Sequence, residues 1–302
     1  MTSRNPLRTA VFSLALIVLS GCSTVTKIGT QIGQGSGVIS EEQATSINKT
    51  SAALEKTFAD ITPEQEYYIG RAVAATILQT YPPLDDPDAN HYLNELGQTL
   101  AMASDRPETF GGYHFLLLDS DQINAFAAPG GLILVCKGLV SCCRNEDELA
   151  AVLAHEIGHV QDKDGLRAIK KSRLTSALTT IGVEAGRNLG GDKVKELTEQ
   201  FAGGIQDIIH TLVTSGYARG QEYQADAVSA EILRRVGYDP GALVSMLEEM
   251  NRRWNPHGPG FARTHPAPRD RIEHVKPLAG TVTDDASRRI TQQRFTAAMS
   301  GI

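Results

Sequence analysis

The sequence predicts an α+β fold, predominantly helical, with one small sheet beside a buried helix that carries His155-Glu156-Ile157-Gly158-His159. Three observations predict it. From Thr62 onward most of the chain divides into stretches with helix start and stop signals. Only residues 113–135 read as strands. The stretch before His155 runs through Val152 and Leu153 without a polar break, as a core helix does. A chain of 302 residues can bury one good core with a subsidiary helical layer.

Residues 1–21 read as a targeting leader. Arg4 and Arg8 give it a positive start, and residues 10–19 are an apolar run too short to span a bilayer comfortably. Leu19-Ser20-Gly21-Cys22 then resembles a bacterial lipoprotein box, implying cleavage before Cys22 and acylation of that cysteine. An ordinary leader with an incidental cysteine is the alternative. Ser23 stands where an aspartate would signal inner-membrane retention, so the expected location is the outer membrane, facing the periplasm. Several acyl chains anchor a protein without a transmembrane helix. Residues 22–60 comprise this cysteine and a tether rich in Gly, Ser, Thr and Gln.

The main domain is expected over residues 61–280. Thr62 can cap a helix over 63–80, with Pro63 at its first position, and Pro82-Pro83 ends it. A second helix follows over 88–103. Strands are expected over 113–118, 123–128 and 132–135, the last two joined by Pro129-Gly130-Gly131. Asn145 with Glu148 forms a capping-box-like start for a helix over 147–161, whose buried face is Leu149, Val152, Leu153 and Val160. Residues 168–186 and 192–215 read as two long helices, interrupted over 188–191, that could form a lid. Helices over 220–235, ending near Gly237, and over 241–253 complete the domain. Residues 281–302 are polar and read as a tail.

In the central helix, residues four apart lie on one face, about 40° apart around the axis. His155 and His159 can therefore grip one Zn²⁺, while Glu156 is turned off that line toward a water in the open position. Two histidines and a glutamate general base are the arrangement of a zinc peptidase. The alternative is two partly buried histidines bonded to neighbours. A third ligand is needed, and Glu222 is the best candidate. Asp226, four residues on, shares its face and could accept the second ring N–H of a ligand histidine. A solvated acidic face is the alternative for this pair.

Residues 146–159, the later Glu222-x-x-x-Asp226, and Asn124-Ala-Phe-Ala-Ala-Pro-Gly-Gly131 occur in the order and separation of the HtpX-like zinc metallopeptidases, and the chain resembles that family over roughly 60–280. The family also contains the CAAX prenyl endopeptidases and mitochondrial inner-membrane stress proteases. The resemblance implies a zincin-type (gluzincin) domain with one Zn²⁺ per chain. It implies His155, His159 and Glu222 as ligands, Glu156 as general base and Asp226 behind the ligands. It further implies a motif at Thr264-His265-Pro266, followed by Arg271. There His265 lies close to the zinc and either assists the oxyanion or fills the open position in a latent form. A loop histidine beside prolines is the alternative. Asn124 and Ala125 would lie beside the cleft, where an extended substrate could pair with an exposed strand edge. Phe126 reads as core. One departure is Gln161-Asp-Lys-Asp-Gly165, where many relatives carry a further His or Arg-His pair; these positions read as non-ligands. No multi-pass segments and no appended helical repeats are expected.

The expected function is zinc-dependent endoproteolysis of misfolded or misassembled envelope proteins, with polypeptides as substrates and the outer-membrane assembly machinery as a partner. A client-binding chaperone with a latent zinc site is the alternative, and a metal-dependent hydrolase of a non-protein bond such as peptidoglycan is a third reading. The formal charge of −6, more acidic once Arg4 and Arg8 leave with the leader, argues against nucleic acid, which calls for a basic patch. Cys136, Cys142 and Cys143 make an odd set for an oxidising compartment; inert or partly paired thiols are expected.

Overall fold

A computed structural model describes residues 61–169, 202–253, 264–279 and 285–302. The leader, Cys22 and the tether lie outside the described residues. No described helix is long and apolar enough to cross a membrane.

Helix α1 (Pro63–Thr80) starts at a full capping box between Thr62 and Gln65. Asp86 caps α2 (Pro87–Met102) by accepting from the Ala89 amide. Three strands follow, β1 (His114–Leu118), β2 (Ala125–Ala128) and β3 (Leu132–Cys136), in the order β1-β3-β2. β1 runs parallel to β3, whereas β2 is antiparallel to it and forms the edge. After a short turn of helix, α3 (Lys137–Val140), the central helix α4 (Glu146–Gln161) begins at Asn145. Asn145 accepts from the Glu148 amide, and Glu146, Asp147 and Glu148 place negative charge on the helix N-terminus. Then come α5 (Asp164–Arg167), α6 (Ala202–His210) with a π turn over Thr211–Ser215, α7 (Arg219–Val236), α8 (Gly241–Arg252), α9 (Pro268–Val275) and α10 (Asp285–Met299).

The sheet divides the core because successive strand side chains point to opposite faces. Ala125, Ala127, Ile133 and Val135 join the larger cluster with α2, α4, α7 and α8. Phe126, Ala128, Leu134 and Cys136 face α1 and α6. Phe126 is thus a core residue, as its pattern suggests. Gly158 lets α4 cross α7 closely: a Cβ there would meet Ala225 Cα at 3.1 Å and Ala225 O at 3.2 Å. About one turn along α7 from Ala225, Ser229 Oγ donates to the Ala151 carbonyl at 2.9 Å.

Several expectations change. The second strand is shorter than 123–128, and its edge is not exposed: Ala125, Phe126, Ala127 and Ala128 are all buried. The expected helix over 168–186 falls almost wholly outside the described residues, as does the first part of 192–215. Helix α9 has no counterpart in the sequence reading, and the polar tail contains α10. Among the described side chains of α10, Phe295 and Met299 are buried in the core and Ala298 packs against it, so its apolar signal is slight. Polar contacts dock it instead. Arg294 makes a two-point ion pair with the fully buried Glu146, which also accepts from Tyr92 Oη (2.7 Å) and Tyr238 Oη (2.5 Å). The three described cysteines are free and buried. Burial pushes the Cys136 thiol up to about 12, where it is unreactive.

Arg294 is half exposed, but Glu146→Ala also takes the acceptor from the buried Tyr92 and Tyr238 hydroxyls, so it should lower the unfolding free energy by about 2 kcal/mol. Urea unfolding curves check this; an unchanged midpoint would show that α10 is held by its apolar contacts alone.

Candidate metal centre

Four helices and one loop converge on a buried polar cluster. α4 supplies His155 and His159, α7 supplies Glu222 and Asp226, α5 supplies Asp164 and α9 supplies Arg271. His265 stands in the loop before α9. One ligand atom from each of His155, His159, Glu222 and His265 lies within 4.8 Å of all the others. The two Nε2 atoms are 3.1 Å apart, and Glu222 oxygens lie 3.5 Å from His155 Nε2 and 3.6 Å from His159 Nε2.

The far side of each ring explains what faces inward. His155 Nδ1 lies 3.0 Å from Asp226 Oδ1, and His159 Nδ1 lies 2.9 Å from Asp164 Oδ2. A carboxylate can only accept, so a ring that donates through Nδ1 to its carboxylate leaves Nε2 to face the other histidine; Arg271 Nη2 also stands 3.1 Å from His155 Nδ1. Two ring nitrogens and a carboxylate thus converge on one spot. The donor set of two imidazoles and a carboxylate, with each imidazole backed by a second carboxylate, suits Zn²⁺.

The surroundings favour a cation as well. Glu156, Asp164, Glu222 and Asp226 are buried, and Arg271 is the guanidinium buried among them. Its Nε lies 3.0 Å from Asp226 Oδ2, and Nη1 lies 3.5 Å from Glu222 Oε2. Burial alone would raise both carboxyls. For Glu222, His265 and His155 outweigh it and hold the group well below the usual range. For Asp226, Arg271 and His155 do the same. Both acids are therefore charged in place.

The structure thus gathers His155, Glu156, His159, Glu222, Asp226 and His265. His265 Nδ1 lies 2.9 Å from both Glu222 oxygens, so it is not a free loop histidine. Glu156 lines a cavity of about 10 Å³, roughly one water in size, with Ala125, Tyr217 and His265. Asn124 is held back from it, its Oδ1 accepting from Thr264 Oγ1 at 3.1 Å.

Three contributors went unread in the sequence. Asp164 belongs to the stretch taken as bystanders. It reaches His159 because Lys163, at φ +56°, turns the chain back at the end of α4. The run Asp162-Lys-Asp-Gly165 carried that turn signal. Asp164 is fixed in turn by Gln221 Nε2 at 2.7 Å, next to the ligand candidate Glu222. Arg271 was noted without a role. Tyr217, whose ring lies against His159 with centroids 4.4 Å apart, carried no signal at all.

Residues 87–279 match peptidase family M48, a span that holds every residue of this cluster. The chain is 31% identical over 224 residues to the beta-barrel assembly-enhancing protease of Yersinia pestis, covering 72% of this chain and 44% of that one. It is 30% identical over 155 residues to the metalloprotease LoiP of Escherichia coli, covering 51% and 58%. Against the mitochondrial metalloendopeptidase OMA1 of Schizosaccharomyces pombe it is 29% identical over 159 residues, covering 51% and 42%. The chain thus spans less than half the length of the assembly-enhancing protease.

Two variants test the ligand geometry. Glu222→Gln should purify without its equivalent of zinc; metal retained at one per chain would remove Glu222 from the ligand set. Asp164→Ala should weaken zinc affinity by about 10–100-fold, the usual effect of losing a carboxylate behind a ligand histidine. Competition with a chromophoric chelator measures it.

Proposed function

The chain belongs to peptidase family M48, and we propose that it is a zinc-dependent endopeptidase of the bacterial cell envelope. The observation that carries this reading is the convergence of His155 Nε2, His159 Nε2 and the Glu222 carboxylate, with Glu156 beside them on a water-sized cavity. These three residues would hold the metal. Bound there, zinc supplies a Lewis acid that acidifies water and polarises a carbonyl.

The protein's own residues do the rest. Glu156 takes a proton from the attacking water and passes it to the leaving amine, the work of a general base that becomes a general acid. Asp226 and Asp164 fix the tautomers of His155 and His159. Arg271 holds Asp226 and offsets part of the buried negative charge. Ala125 borders the cavity, so a substrate extended along β2, once its covered edge opens, would bring its scissile bond to Glu156; Asn124 lies next to that path.

The Cys22 box supports a lipid anchor in the outer membrane, with the domain facing the periplasm. The names of the relatives support substrates among proteins whose β-barrel assembly has failed, and the outer-membrane assembly machinery as a partner. A second reading, a resting site that binds clients and cuts only when opened, is favoured by one observation. His265 lies within the ligand cluster, and the edge of β2 is covered.

Purified protein lacking residues 1–22 should cleave casein, and Glu156→Gln should lose about 10²–10⁴ of that rate with zinc content unchanged. Zinc in both proteins with cleavage by neither would shift the reading to the client-binding form. Equal cleavage by both would show that Glu156 is not the base.

A further inference from the structure

Tyr217 has an unusual position for a core tyrosine. Its ring packs against the His159 imidazole at a 31° tilt. Its hydroxyl is buried with no hydrogen-bond partner; among the described residues, Thr109 Oγ1 is the other such side-chain atom. A buried hydroxyl left unpaired costs about 1–3 kcal/mol, so packing alone gives no reason to keep a tyrosine rather than a phenylalanine there.

Where the residue sits supplies a reason. Tyr217 lines the same small cavity as Glu156, Ala125 and His265. It is held there closely. The preceding Gly216 has φ +71°, and a Cβ on it would fall 2.1 Å from the Thr264 carbonyl oxygen, so two chain segments cross in direct contact at this point. On the other side a Cβ at Gly165 would stand 3.6 Å from the Tyr217 hydroxyl, ordinary van der Waals contact, so α5 passes beside that oxygen. His265, by contrast, already has its Nδ1 engaged by Glu222. The neutral phenol is then a donor with nothing to donate to, packed on the ring of a ligand candidate and part of the lining of the cavity that Glu156 also lines.

We propose that Tyr217 is a catalytic residue whose O–H donates a hydrogen bond to the scissile carbonyl oxygen as negative charge develops on it. The inference rests on the peptidase reading above. A donor with no partner in the resting protein and one in the transition state contributes to rate without strengthening substrate binding. The unpaired hydroxyl is then a cost to the fold retained for the reaction.

Tyr217→Phe keeps the ring on His159 and removes one oxygen. Wild type, Tyr217→Phe and Glu156→Gln holoproteins would be compared on a quenched fluorescent casein-derived peptide, with zinc content and melting temperature measured for each. Tyr217→Phe should lower kcat by about 10²–10³ and leave KM within about twofold. Its zinc content should be unchanged and its melting temperature equal to or above that of wild type. A melting temperature several degrees lower would mean the hydroxyl has a structural partner, and the inference falls. Full kcat in Tyr217→Phe beside an inactive Glu156→Gln would overturn the role of Tyr217 and leave the peptidase reading intact. An inert, zinc-loaded wild type would overturn both.

Discussion

The site depends on how closely two helices can cross. α4 carries the histidines and the general-base candidate, α7 carries Glu222 and Asp226, and neither set can hold a metal alone. Gly158, between the two histidines, removes the side chain that would keep the helices apart. Ser229 fastens the same crossing to the Ala151 carbonyl. With the helix axes fixed, i,i+4 spacing on each helix does the remaining placement, because residues four apart share a face. The glycine of H-E-I-G-H is therefore as much a part of the centre as the ligands.

Around that crossing the protein buries far more charge than a core usually tolerates. An isolated buried carboxylate would neutralise itself by taking up a proton. Here three of the four acids meet a donor: Asp226 has Arg271 and His155, Asp164 has His159 and Gln221, and Glu222 has His265 and Arg271. The Nε2 atoms of His155 and His159 converge with the Glu222 carboxylate, and these atoms mark the candidate cation position.

Much of this was legible in the sequence, for local reasons. The H-E-x-x-H helix announces itself through the Asn145 cap, the acidic first turn and a 3.6-residue apolar period. Glu222 and Asp226 follow from spacing within one helix. Strands β1 and β3 show as apolar runs bounded by turn residues. What was not legible depends on distant contacts. The covered edge of β2 reflects segments that arrive from the far part of the chain, near Thr211, Gly216 and Thr264. Helix α10 is mostly polar and owes its place to Glu146 rather than to periodicity. Asp164 lies past the helix it serves and reaches back through a left-handed turn, which spacing rules for a single helix do not anticipate.

The grip of Arg294 on Glu146 bears on how the protein is made. Glu146 opens the helix that bears the metal ligands, and its partner lies 148 residues further along the chain. Glu222, His265 and Arg271 also follow His155 by long intervals. During synthesis the emerging chain therefore holds the two histidines long before it holds the groups that aim and brace them. The centre assembles only when the distal helices have arrived and packed, so a nascent polypeptide holds two histidines without the carboxylates that complete their cluster.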